Sequence, residues 1–174
     1  VDNFTSSNPS SYVYMISGVR GAGKTVMLTT LADTFSKMDD WIVINVTPDL
    51  DIQNSIAAKL YSINELKNMF VSAKLDLSAF GLGITIENAN QIFDIETALE
   101  KMLKQIQKKG KRVLITIDEV VNNDHIKVFA STFQLLIRGK LPVFLIMTGL
   151  YENIYNLQNE KTLTFLYRAP KIIP

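Results

Sequence analysis

A chain of 174 residues that is 47% hydrophobic and 20% charged can bury one sizeable core but not two comfortable ones, so a single domain over 1–174 is expected. Its 18 Lys+Arg against 17 Asp+Glu give no overall sign of a nucleic-acid or anionic-membrane partner, although a local basic patch stays open. The lack of cysteine rules out disulfides, thiolate nucleophiles and Cys-ligated metals, and a single histidine speaks against a His-based zinc site.

No apolar run approaches the ~20 residues that span a bilayer. The longest candidate, Leu141 to Leu150, contains Thr148 and Gly149. The amino-terminal stretch is polar (Asp2, Asn3, Thr5, Ser6, Ser7) and has no signal-peptide pattern, so a cytoplasmic protein without a membrane partner is expected. The chain opens on Val1 and closes on Lys171-Ile172-Ile173-Pro174 inside strand-like sequence, which reads as a fragment of something longer.

Residues 1 to 11 read as an irregular lead-in, with turn chemistry at Asn8-Pro9-Ser10-Ser11. A β-branched and aromatic run, Tyr12 to Ser17, predicts the first strand. Gly18-Val19-Arg20-Gly21-Ala22-Gly23-Lys24-Thr25 follows and fits G-x-x-x-x-G-K-[ST] at every specified position. Leu28, Leu31, Phe35 and Met38 then recur at helical spacing. Strand, glycine loop and helix together make a phosphate cradle. Glycines let the backbone wrap closely round phosphate oxygens, and Lys24 adds a point charge. Thr25 offers a hydroxyl to Mg²⁺, and the helix start turns its positive end to the same oxygens. The binding loop is taken as Gly18 through Val26.

Trp41 to Val46 predicts a buried strand ended by Thr47-Pro48-Asp49. Residues 51 to 70 carry two short helical patterns. Residues 74 to 80 and 84 to 87 alternate around Gly81-Leu82-Gly83, which reads as an inserted β-hairpin or, failing that, a plain loop. Ile95, Leu99, Met102, Leu103 and Ile106 form the apolar stripe of a helix ending at Lys108-Lys109-Gly110. The basic residues there, with Lys111 and Arg112, read as a solvated helix end before a nucleic-acid reader. Val113 to Ile117 predicts a strand closed by Asp118-Glu119, followed by a helix from about His125 to Ile137. Val143 to Met147 predicts a fourth strand, then comes a helix near Tyr151 to Leu157. A fifth strand is expected within Thr162 to Ile173.

In an open parallel sheet the carboxyl ends of the strands form the ligand crevice, so Asp118 and Glu119 would arrive beside the phosphates. Asp118 would hold Mg²⁺ alongside Thr25, and Glu119 would polarise the attacking water. The bland alternative is that the pair simply opens a turn. Thr148 ends the fourth strand at the same rim, either contacting the terminal phosphate or bonding locally to backbone. Arg168 either supplies positive charge across a subunit contact or is a surface residue.

The segments Tyr14 to Thr25, Leu114 to Glu119 and Leu145 to Leu150 together resemble the AAA+-like P-loop ATPases. The branch resembled is that shared by origin-recognition-type ATPases and prokaryotic ATPases related to STAND proteins. The resemblance implies a three-layer α/β/α fold around a five-stranded parallel sheet of order 5-1-4-3-2. It also implies ATP with Mg²⁺, Thr148 as sensor, and Arg168 near the position of the arginine finger. Members carry a helical lid after the fifth strand, which lies outside this chain, so weak ATP binding and slow or absent hydrolysis are expected of it.

The leading reading is an ATPase module, cycling between ATP and ADP, whose nucleotide state switches an attached domain or a DNA or protein partner through a region beyond this chain, with self-association possible. A small-molecule kinase is the runner-up, disfavoured because the chain has only Arg20, Arg112, Arg138 and Arg168 for the transferring group. A non-hydrolysing nucleotide-binding interaction module is the third reading, and intact Lys24, Thr25, Asp118 and Glu119 argue against it. No Asn-Lys-x-Asp segment is present to read guanine.

Overall fold

The computed structural model describes residues 1–174. In chain order the elements are α1 (Asp2–Thr5), β1 (Val13–Ser17), α2 (Lys24–Ser36), β2 (Trp41–Val46), α3 (Ile52–Tyr61), α4 (Asn64–Ser72), α5 (Ile95–Lys108), β3 (Arg112–Ile117), α6 (Asp124–Arg138), β4 (Val143–Gly149), α7 (Tyr151–Gln158), α8 (Thr164–Tyr167) and β5 (Lys171–Ile172). One 3₁₀ turn, Ser78–Phe80, lies between α4 and α5.

The five strands form one parallel sheet in the order β2-β3-β4-β1-β5. This is the expected order read from the other edge. Parallel strands packed on both faces must be apolar on both faces, and these are. In β3, Val113, Ile115 and Ile117 join a large core of 37 buried residues, while Leu114 joins a smaller cluster of 8 on the opposite face. In β4, Val143, Leu145 and Met147 face the large core, and Phe144 and Ile146 face the small one. The layers are therefore unequal. α3, α4, α5, α6 and α7 cover one face, while α2 with the short α1 covers the other.

Two expectations are corrected and a third is narrowed. The lead-in is irregular only after Thr5, because Asp2–Thr5 form α1, whose Phe4 is buried against the rings of Tyr14, Trp41 and Phe144. Asn3 pins it by donating to the Ser11 carbonyl at 2.7 Å and accepting from the Ser10 amide at 2.7 Å. No hairpin forms over 74–87. Leu75 and Leu77 are both buried, but so is Asp76 between them, so the alternation does not mark one wet and one dry face. The Asp76 carboxylate instead accepts from the Ser78 amide and hydroxyl and from the Ile86 amide, drawing the segment into a loop. Its one bridge is parallel, to Gln91. Finally, the fifth strand is only Lys171–Ile172, because α8 occupies part of the stretch that reads as strand.

Candidate functional site

The loop between β1 and α2 lies at the carboxyl edge of the sheet, between the ends of β4 and β5. Gly21 and Gly23 have φ of 77° and 80°, backbone that a side chain would strain. Gly18 is needed for a different reason, since a Cβ there would lie 3.3 Å from the Ala22 Cβ. α2 starts at once after Gly23 with no side chain capping it, so its first-turn amides remain open toward the loop. Lys24 is buried and arches back over the loop, its Nζ donating to the carbonyls of Gly18 at 3.1 Å and Val19 at 2.7 Å.

β3 lies beside β4 and brings Asp118 to Thr25. The Thr25 hydroxyl donates to Asp118 Oδ2 at 2.8 Å. Asp118 Oδ1 accepts from the Thr148 hydroxyl and, at 3.1 Å, from the Glu119 amide. The Glu119 amide also donates to Thr148 Oγ1 at 2.9 Å. Thr148 is fully buried, and its hydroxyl is used on the end of β3. It does not bond to its own backbone, because its partners stand at the end of the neighbouring strand. Glu119 has φ of 54°, the left-handed region, and its exposed side chain lies on the cleft wall.

A cleft of about 510 Å³ gathers these groups. Arg20, Gly21, Gly23, Lys24, Thr25 and Val26 line one wall. Glu119, Val120, Val121, Gly149, Leu150 and Asn153 line the other. Gly18, Val19 and Ala22 shape the loop without lining this cleft. Asp118 sits on the α2 side of the sheet, in a smaller cavity of about 230 Å³ shared with Asp33, Asn45 and Thr116.

Arg168 is not brought to its own chain's cradle. It lines a hollow with Ser10, Ser11, Tyr12 and Val13, at the start of β1 and therefore at the opposite edge of the sheet. Apart from Glu119, the second wall of the cleft was missed in the sequence. Gly149 and Asn153 carry no motif, and only the turn from β4 into α7 brings them beside Glu119.

Chemically, the site offers backbone amides at a helix start, one ammonium, one hydroxyl and two carboxylates of different setting. That set suits a polyanion carrying a hard cation. Mg²⁺ is ordinarily held by one or two protein oxygens together with phosphates and water, and the adjoining Thr25 hydroxyl and Asp118 carboxylate fit that need. No helix is long and apolar enough to cross a membrane.

No family model matches the sequence, and no curated protein matches it. Among solved structures, Cdc6p from Pyrobaculum aerophilum is similar with a TM-score of 0.57 at 13% sequence identity. The match covers 95% of this chain and 40% of the Cdc6p chain, so the present chain spans about two fifths of that protein. At such identity the likeness carries architecture alone. Together with the parallel sheet of order β2-β3-β4-β1-β5, it gives this chain an α/β fold of the P-loop NTPase type.

Proposed function

We propose that the chain is an ATP-binding module that hydrolyses ATP and acts as a nucleotide-dependent switch for an attached domain or a partner. The observation that carries the reading is the convergence of Lys24, Thr25 and Glu119, from two distant parts of the sequence, on one cleft, with Asp118 bonded to Thr25 from the adjoining cavity. The loop amides and Lys24 bind the phosphate chain, for which Nζ leaves the Gly18 and Val19 carbonyls. Thr25 and Asp118 would hold Mg²⁺, which when bound would supply neutralisation of charge on the outer phosphates. Glu119 takes the proton of the water that adds to the terminal phosphorus as the bond to the bridging oxygen breaks and ADP leaves. Thr148 acts through its neighbours, fixing the Asp118 carboxylate and the Glu119 backbone.

The kinase alternative loses ground on placement. Of the four arginines only Arg20 lines the cleft. Arg112 donates to the Phe4 carbonyl at 2.7 Å and stacks over Trp41, Arg138 ends α6, and Arg168 lies at the far edge. Arg168 keeps the role of a trans-acting group only in an assembly that brings it to another copy's cleft.

Calorimetric titration with MgATP tests the reading. The wild-type chain should bind and Lys24→Ala should lose most of that affinity. Glu119→Gln should keep binding while turnover falls by about 10²- to 10⁴-fold, the usual share of a general base. Equal affinity in the wild type and Lys24→Ala would sink the cradle, and unchanged turnover in Glu119→Gln would sink the role of that carboxylate.

A further inference from the structure

The second wall of the cleft holds only two polar side chains, Glu119 and Asn153; the others are Val120, Val121, Gly149 and Leu150. Glu119 is an anion and repels phosphate oxygens unless a water lies between. Thr148, the strand-end hydroxyl, is fully buried, and its one proton goes to Asp118. Asn153 differs from both. It is half-buried in the first turn of α7, and its side chain forms no hydrogen bond within the chain. Its amide carries two N–H donors without charge.

Packing explains why this residue reaches the cleft. Gly149 has no Cβ, and one placed there would lie 3.1 Å from both Val120 Cγ2 and Ile154 Cδ1. Val120 and Ile154 therefore close over the glycine, drawing the first turn of α7 against the loop that carries Glu119. Asn153 precedes Ile154 and Glu119 precedes Val120, so the two polar groups share one stretch of wall. Thr25 and Lys24 line the same cleft.

We infer that Asn153 is a specificity-determining residue that donates to the terminal phosphate of a nucleoside triphosphate and so distinguishes it from the diphosphate. The inference rests on the cradle reading above. It moves phosphate sensing from the strand-end hydroxyl at Thr148 to a helix-borne amide one turn further along the chain.

The test compares affinities for Mg²⁺ with ADP and with a non-hydrolysable ATP analogue in the wild type, Asn153→Ala, Asn153→Asp and Lys24→Ala. Asn153→Ala should lose about ten- to a hundredfold for the triphosphate analogue, the worth of a hydrogen bond to a charged group, and stay within about twofold for ADP. Asn153→Asp keeps the side-chain size, suits the first turn of a helix, and should lose more through charge repulsion. Unfolding midpoints matching the wild type show that both variants are folded. A wild-type chain that binds neither nucleotide, or binds both regardless of Lys24→Ala, overturns the cradle and this proposal together. Binding that needs Lys24 while the Asn153 variants lose nothing, or lose equally for both nucleotides, overturns the Asn153 proposal alone.

Discussion

Asp118 accepts on both carboxylate oxygens, from Thr25 on one side and from Thr148 and the Glu119 amide on the other. The Thr148 hydroxyl is thus the joint between the Asp118 carboxylate and the Glu119 backbone amide, and the acceptor that holds Glu119 at φ 54°. A non-glycine residue in that region costs roughly 1–3 kcal/mol, so something must keep it there. Thr148→Val has nearly the same volume but leaves the Glu119 amide only its 3.1 Å bond to Asp118 and takes the hydroxyl donor from Asp118 Oδ1. We expect it to lower stability by about 1–3 kcal/mol. Turnover should fall more than nucleotide affinity, and Thr148→Ser should restore both. Thermal unfolding and steady-state kinetics check this, and a Val variant as active as wild type would remove Thr148 from the mechanism. At this scale the sequence was legible where spacing along the chain is the signal, as for Lys24 and Thr25. It was open at Thr148, whose partners depend on which strand lies beside β4, and silent at Asn153.

Among the elements, α5 was plain because its apolar stripe, Leu99, Met102, Leu103 and Ile106, is buried as a unit. Its start is set by Asp94, which accepts from the Thr97 amide and hydroxyl. The segment before it was misread because the buried carboxylate of Asp76 mimics the polar half of a strand. Both carboxyls are held below the ordinary range, Asp76 chiefly by the Ser78 hydroxyl and then the Ile86 amide, Asp94 by the Thr97 hydroxyl and then its amide. A lowered folded value means that the stabilisation is complete above the unfolded value, about 3.9, and is lost as pH falls through the folded one. Wild-type unfolding temperature should therefore drop with acidification below about pH 4, with a flatter fall in Asp76→Asn. At neutral pH, Asp76→Asn should also speed tryptic cleavage after Lys74. Parallel acid profiles and unchanged cleavage would show that the carboxylate does not hold the loop.

At the scale of the whole molecule, nucleotide binding and fold stability are linked, since the cleft joins the ends of β1, β3 and β4 through one hydrogen-bonded set. A ligand at 100 times its dissociation constant adds about 2.7 kcal/mol, which for a domain of this size raises the melting temperature by roughly 5–11 °C. MgATP should produce such a shift in the wild type and little in Lys24→Ala, as read by scanning calorimetry; equal shifts in both would place the ligand elsewhere. The sequence by itself determined the alternation of strands and helices, the phosphate loop and the two carboxylates after β3, because these depend on local periodicity and on residues close together in the chain. Its family likeness also carried the sheet order. Only the tertiary structure decided that Phe4 fills the aromatic cluster, that Asp76 ties a loop instead of a hairpin, and that Arg168 stands away from its own cradle. It alone set Thr148 on Asp118 and brought Asn153 into the cleft that Lys24 lines, because those neighbours are fixed by which strands and turns lie side by side, which no spacing along the chain records.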